Sequence, residues 1–294
     1  QKVTIIDMPI GGMAVTGSTR MQSSTIELLA AASALETAAG FQKVDYPAAF
    51  EQLLNSLNTP ENISAIAAYI DFEYETYSKH GLIDYRSNDL LIDILSDTTE
   101  RSPTFMIPPY KFLDDVDSPE PWAMVRNPEK TTEAIWQECL RRPLRCIAWT
   151  RRDYEAANLA VLLQKGIPQI DKQSLLRIPL GGDNPNRNAV SVMIRNQPEG
   201  ALVIQNQSIG SRVTATPLRL FEHLRMKLVM NIISTGTMVK FGRVRSNYMI
   251  HLAISNKKLV DRACRIISEL CHVSYEDACH ELFRTQSMLN SKNR

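Results

Sequence analysis

The chain has 294 residues, of which 44% are hydrophobic and 22% are charged, and its net charge is +1 at pH 7. This composition excludes an intrinsically disordered chain, and the length predicts either two folded units or one large unit with an extension. A net charge so close to zero also excludes a strong overall field for nucleic acid or for an anionic membrane.

The first third of the chain predicts one strand, a glycine turn and three helices. Alternating residues with high β propensity predict the strand over residues 2–7, and Gly11 and Gly12 end it. Apolar residues then recur at helical spacing. The predicted helices cover residues 23–40, 47–57 and 60–79.

Strand and helix patterns alternate in the middle of the chain, which predicts a parallel sheet with helices on both faces. The predicted strands are residues 81–86, 145–150, 175–180, 189–196 and 200–207. The predicted helices are residues 90–99, 127–142 and 152–166. A proline-rich connection over residues 101–122 is long enough to cover a site. From Thr216 onward the chain is predicted to be helical.

Five cysteines, an odd number, include no C-x-x-C pair, and no signal peptide precedes them. They are Cys139, Cys146, Cys264, Cys271 and Cys279. This usage favours a reducing cytoplasm. The pairs Cys271-His272 and Cys279-His280 lack the usual spacing of zinc ligands, so we expect no metal site. No apolar run approaches the roughly 20 residues that span a bilayer.

The stretch TGSTR stands at the entrance of the first predicted helix. Backbone N–H groups at a helix start carry partial positive charge and bind phosphate well. Gly17 lets a ligand approach the backbone, and the hydroxyls of Ser18 and Thr19 can donate to phosphate oxygens. Arg20 adds a permanent charge. The alternative is that Thr16 or Ser18 caps the helix while Arg20 is solvated, since the stretch is neither a P-loop nor G-x-G-x-x-G.

Two sequence words occur far apart and in a fixed order. VTGSTRM covers residues 15–21, and VMNIISTGTMVKFGRVRSNYMIHLAISNKKLVDRACRII covers residues 229–267. Together they resemble the sugar isomerase (SIS) domain family that contains N-acetylmuramic acid 6-phosphate etherase and glucokinase regulatory protein. The resemblance implies a flavodoxin-like α/β sheet on which hydroxyl-rich loops hold the phosphate of a sugar.

The resemblance also implies a division of the chain. Residues 1–58 are expected to be the C-terminal part of a first SIS domain, residues 59–215 a second SIS domain, and residues 216–294 a helical C-terminal region. In this family the TGSTRM word follows the last strand of the first SIS domain. We therefore expect the natural protein to be longer at its N-terminus.

Few site residues follow from the resemblance. Ser18 and Thr19 match hydroxyls that contact the sugar phosphate, and Gly17 shapes their loop. Lys258 matches a lysine that reaches the phosphate in the regulatory protein, although the adjacent Lys257 makes the alignment ambiguous by one residue. The alternative for Lys258 is an ordinary surface lysine at a helix start.

A second, weaker phosphate candidate is Ser87 with Asn88, because an SIS domain places its first strand-to-helix loop there. Capping of the next helix would explain both residues equally well. Ser234, Thr235 and Gly236 fall inside a predicted helix, where small residues favour close helix packing over ligand contact. The expected substrate-binding set is Thr16, Gly17, Ser18, Thr19, Arg20, Lys258, Ser87 and Asn88.

The catalytic residues stay unassigned. The resemblance implies that the etherase uses acidic residues as acid and base, upstream of the matched part, and such groups must reach the substrate. Candidates by position alone are Glu100, Asp84, Asp93 and Asp97. A solvated helix face would explain the aspartates, and a cap or loop contact would explain Glu100. His80, His223 and His251 could each be a base, but isolated histidines are more often hydrogen-bonded structure.

Two functions are therefore compatible with the sequence. One is an etherase-type lyase that acts on N-acetylmuramic acid 6-phosphate in cell-wall sugar recycling, without metal or cofactor. The other is a non-catalytic sensor that binds a sugar phosphate and regulates a partner protein. We expect this chain alone to be inactive as an enzyme, to bind neither nucleic acid nor membrane, and to form a homodimer or bind a regulated partner.

Overall fold

The computed structural model describes residues 5–41, 44–144, 150–156, 175–184, 186, 188–254 and 256–292. Three helices come first: α1 (Gln22–Ala38), α2 (Tyr46–Leu57) and α3 (Pro60–Ser78). Asp45 caps α2 and Thr59 caps α3, and both of these helices have a proline in the first turn. These local signals explain why the sequence predicts α2 and α3 almost to the residue.

The prediction of an N-terminal strand over residues 2–7 is wrong for residues 5–7, which the structure describes. Residues 5–7 form no strand, and the side chains of Ile5 and Ile6 are 84% and 76% exposed. Residues 2–4 lie outside the described residues. An alternating segment becomes a strand only when a neighbour pairs with it, and within the described ranges no strand lies beside this one.

A five-stranded mixed sheet forms the centre of the fold. Its strands are β1 (Leu82–Ser87), β2 (Ala123–Arg126), β3 (Ala189–Asn196), β4 (Leu202–Ile204) and β5 (Gln207–Ile209). The spatial order is β2-β1-β3-β4-β5. The first three strands are parallel, whereas β4 and β5 follow β3 in antiparallel hairpins. Helices flank this sheet, which confirms the predicted α/β fold class.

Several predicted boundaries change. Residues 175–180 are not a strand, and residues 145–149 and 157–174 lie outside the described part of the chain. The helices α4 (Leu91–Phe105), α5 (Thr132–Leu140) and α6 (Arg151–Ala156) occupy three predicted helical regions. Ser87 and Asn88 do not cap α4, because its first flanking residue, Leu90, has no side-chain cap.

The two faces of β1 differ in chemistry. Ile83 and Tyr85 are fully buried and face the helical layer, since Tyr85 bonds to Glu73 of α3. Asp84 and Arg86 alternate with them and therefore project from the opposite face. One face thus belongs to the apolar core, and the other carries charge.

The long helix α7 (Leu220–Lys240) packs against α1, α2, α3 and α4. Its apolar side chains, such as Phe221 and Ile233, are fully buried, and each stabilises the fold by about 1.5–3 kcal/mol relative to exposure. A short hairpin follows, β6 (Val244–Arg245) with β7 (Tyr248–Met249). The chain then continues into α8 (Lys257–Cys271) and α9 (Tyr275–Lys292), so the C-terminal region is helical as expected. The predicted division of the chain into three regions stays a prediction.

Candidate functional site

The TGSTR stretch forms a bend in front of α1. Gly17 adopts φ +74°, and the Ser18 amide donates to the carbonyl of Val15 at 2.9 Å. No side chain caps α1, so the helix-cap explanation of Thr16 and Ser18 is wrong. The amide of Thr16 instead donates to the carbonyl of Asn247 at 2.7 Å, which ties the bend to the C-terminal region.

Arg20 is buried, so its predicted solvated alternative is also wrong. Its side chain is 4% exposed, and one guanidinium nitrogen, Nη2, donates to Asp97 and to the hydroxyl of Ser234. The guanidinium also lies over the ring of Phe105, 5.3 Å from its centroid. Two further nitrogens, Nε and Nη1, make no hydrogen bond. Arg20 therefore anchors the bend and keeps donors unused.

Asp97 joins Arg20 to a second buried arginine. Arg101 donates to the other carboxylate oxygen of Asp97 at 2.7 Å and to Glu73 at 2.8 Å. Burial alone would raise the pKa of Asp97, but the guanidinium groups of Arg101 and Arg20 hold it below its usual value. Asn231 adds a hydrogen bond of 2.9 Å to the same carboxylate. These contacts fix the bend to α3, α4 and α7.

A cavity of about 360 Å³ opens beside the bend, and we call it the Ser18 cavity. The bend, the C-terminal half of α4 and the start of α8 enclose it. The polar residues that line it are Ser18, Thr19, Arg20, Glu100, Thr104, Asn256, Lys258 and Arg262. The structure therefore brings Lys258 together with residues that lie more than two hundred positions earlier in the chain.

The donors of the Ser18 cavity are largely unused. Within the described ranges, the hydroxyls of Ser18 and Thr19 have no hydrogen-bond partner. Lys258 forms no ion pair there either. Lys258 and Arg262 bring two positive charges to the cavity beside Arg20, whose charge is paired with Asp97, and Glu100 is the one carboxylate among the described lining residues. This excess favours an anionic ligand.

Glu100 lies next to Arg20 in the wall of this cavity. Its carboxylate lies 3.8 Å from Arg20 Nε, and its side chain is 47% exposed. Burial raises the pKa of Glu100, and the Arg20 charge opposes that rise. Because this carboxylate accepts no hydrogen bond from the described residues, it can accept one from a ligand hydroxyl.

Arg262 was not predicted from the sequence. It stands one helical turn after Lys258 and donates from Nη2 to the carbonyl of Gly17 at 2.6 Å. A side-chain carbon at Gly17 would lie 2.6 Å from that nitrogen, which is the flexible end of Arg262 and can move, so it is the positive φ that favours glycine at this position. The i, i+4 spacing from Lys258 was the only sequence signal for this residue.

Ser87 and Asn88 lie away from the Ser18 cavity. The Ser87 hydroxyl donates a hydrogen bond to the carbonyl of Asp89 and accepts one from the Asp89 amide. Its donor and its acceptor are therefore both used within the local turn. Asn88 lines a different cavity of about 650 Å³, together with Asp89 and Arg219. These residues stay a separate prediction and add nothing to the Ser18 cavity.

The remaining predicted polar residues have structural roles. Asp84 and Asp97 are buried rather than solvated. Asp93 pairs with His223 at 2.8 Å, which raises the pKa of that imidazole even though burial opposes the rise. A side-chain carbon at Gly236 would lie 2.4 Å from Ile70, which agrees with close helix packing there.

The described residues contain neither a metal-binding cluster nor a membrane-spanning helix. No cluster of three or more histidine, cysteine or acidic side chains in these ranges could hold a metal ion. Among the described helices, none is long and apolar enough to cross a bilayer.

Comparison with known proteins finds similarity over parts of the chain. A family model described as the C-terminal lid domain of glucokinase regulatory protein matches residues 246–291. N-acetylmuramic acid 6-phosphate etherase from Prochlorococcus marinus is 36% identical over 127 residues, which cover 36% of this chain and 39% of that protein. The etherase from Yersinia pestis is 43% identical over 77 residues, or 26% of each chain. The matched segments thus span well under half of these etherases.

Proposed function

We propose that the chain binds a phosphorylated sugar or amino sugar in the Ser18 cavity, because parts of it are similar to N-acetylmuramic acid 6-phosphate etherases and to the lid domain of glucokinase regulatory protein. The observation that carries the proposal is that the hydroxyls of Ser18 and Thr19, the ammonium of Lys258 and the guanidinium of Arg262 converge on one cavity. A phosphate dianion can accept hydrogen bonds from all three kinds of group.

In this proposal the two ends of the ligand meet different groups. Ser18, Thr19 and Lys258 bind the phosphate. Glu100 accepts a hydrogen bond from a sugar hydroxyl at the other end. One carboxylate beside several cations suits a ligand that is anionic at one end and hydroxylated at the other.

Removing the two hydroxyls tests the phosphate contact. We expect Ser18→Ala with Thr19→Ala to weaken sugar-phosphate binding by about 1 kcal/mol or more, roughly fivefold in Kd, because each hydroxyl contributes a hydrogen bond to a charged group. Titration calorimetry with N-acetylmuramic acid 6-phosphate and a panel of hexose 6-phosphates measures this. Thr16→Ala is the matched control, since Thr16 does not line the cavity. Unchanged affinity in the double variant would move the phosphate site elsewhere.

One observation favours a sensor over a complete etherase active site in this chain. Glu100 is the only carboxylate that lines the Ser18 cavity in the described part of the chain. Elimination of the lactyl ether needs one group to take a proton and another to protonate the leaving group. The similarity of residues 246–291 to the lid domain of glucokinase regulatory protein supports the same reading.

We therefore expect the 294-residue chain to release little or no D-lactate from N-acetylmuramic acid 6-phosphate, because its described residues bring only one carboxylate to the Ser18 cavity. An enzymatic D-lactate assay, with the Yersinia pestis etherase as positive control, measures this. Robust release that depends on Glu100 would contradict the sensor and establish an etherase. A cytoplasmic location, as proposed from cysteine usage, is compatible with either role.

A further inference from the structure

Another buried arginine, Arg126, lines a cavity on the charged side of the sheet. Arg126 ends β2, directly beside Arg86 of β1 in the parallel register. Its side chain is 9% exposed, and its Nε lies 3.8 Å from the buried carboxylate of Asp84. The Arg126 Nη2 has only a weak contact, 3.9 Å from the sulfur of Met124.

The charge of Arg126 is incompletely matched. Asp84 is also the partner of Arg86, whose Nε donates to it at 3.1 Å. Neither Arg126 Nε nor the facing oxygen of Asp84 makes a hydrogen bond. A buried guanidinium that lacks hydrogen-bonded partners is costly, so an anion that reached it would gain strong hydrogen bonds.

A cavity of about 400 Å³ lies in front of this guanidinium, and we call it the Arg126 cavity. Three of its lining residues are apolar and well exposed: Phe112 at 42%, Leu113 at 69% and Val116 at 84%. Lys111 also lines it, but Glu120 neutralises this lysine with an ion pair of 2.7 Å. Among the described residues that line the cavity, Arg126 is thus the cation left for a ligand, and the exposed apolar side chains offer contacts to a hydrocarbon.

We propose that the Arg126 cavity binds a monocarboxylate with a short hydrocarbon chain, with its carboxylate on the Arg126 guanidinium and its chain against Phe112, Leu113 and Val116. The planar guanidinium matches the two oxygens of a carboxylate. A phosphate dianion fits less well, because Asp84 lies beside Arg126 and the carboxylates of Asp115 and Glu120 also line the cavity. The site shares no lining residue with the Ser18 cavity, so it is independent of the proposed sugar-phosphate function.

Hexanoate is the probe for this site. We expect calorimetry to detect hexanoate binding to the 294-residue chain, and Arg126→Met to weaken it at least tenfold, because a charge-assisted hydrogen bond is lost. Arg212→Met is the matched control and should leave hexanoate binding unchanged, since Arg212 is 71% exposed and pairs with Glu199. Absence of hexanoate binding, or equal binding by Arg126→Met, would overturn the proposal.

Two further measurements keep the test decisive if Arg126→Met does not fold. Leu113→Asp changes an exposed side chain that lines the cavity, so the fold should persist while hexanoate binding weakens several-fold. Hexanol, which has the same chain and no charge, should not bind measurably. Equal affinity for hexanol, displacement of hexanoate by equimolar inorganic phosphate, or unchanged binding by Leu113→Asp would each contradict the proposal.

Discussion

Replacing Asp97 with alanine is expected to lower the free energy of unfolding by about 3–5 kcal/mol, because the change leaves two buried guanidinium groups without their shared carboxylate. Arg20 and Asp97 are 4% and 1% exposed, and Arg101 is 1% exposed. Glu73 still partners Arg101 in the variant, but among the described residues Arg20 keeps only the hydroxyl of Ser234 as a hydrogen-bond partner.

Chemical denaturation followed by circular dichroism measures this loss. Glu75→Ala is the control, because Glu75 pairs with Lys79 on the surface of α3 at 3.4 Å and both side chains are mostly exposed. Such a pair contributes less than about 1 kcal/mol. If Asp97→Ala and Glu75→Ala proved equally mild, water or a rearranged Glu100 would have to replace Asp97, and the buried network would not hold the bend in place.

Replacing Lys258 with alanine is expected to weaken sugar-phosphate binding by about 1.5–3 kcal/mol, or roughly ten- to a hundredfold in Kd, as for a lost hydrogen bond between charged groups. Lys258 lines the Ser18 cavity and forms no ion pair within the described residues, so its charge is available to the phosphate. The effect should diminish as salt concentration rises, because ions screen a partly exposed charge.

Lys257→Ala provides a matched control, since it removes the same charge one residue earlier from a side chain that does not line the cavity. We expect it to change the Kd of a hexose 6-phosphate by less than about twofold, from long-range charge alone. Titration calorimetry of the two variants also decides whether Lys257 or Lys258 matches the phosphate-binding lysine implied by the family resemblance. A larger effect of Lys257→Ala would assign the phosphate contact to Lys257.

The sequence predicted the helices and strands whose local signals agree with their tertiary environment. Asp45 and Thr59 mark the starts of α2 and α3, and the apolar run of β3 predicts that strand to the residue. By contrast, the sequence does not predict β2. This strand has only four residues, all of them buried, so it shows no alternation of apolar and polar side chains. The strand exists because β1 supplies its hydrogen-bond partners.

The candidate site was predicted in part. The bend at Gly17 and the hydroxyls of Ser18 and Thr19 follow from local sequence, and the resemblance contributed Lys258. The burial of Arg20 could not be predicted, because its partners Asp97 and Ser234 are brought to it by tertiary packing alone. An arginine next to hydroxyls has the same appearance in the sequence whether it is solvated or buried.

The reach of Arg20 across the chain has a consequence for the order in which the protein folds. Its partners lie 77 and 214 residues further along the chain. Contacts between such distant segments close large loops, so they form slowly and only after the local helices and hairpins. The bend therefore acquires its native shape late, and a nascent chain has no Ser18 cavity until Lys258 has left the ribosome.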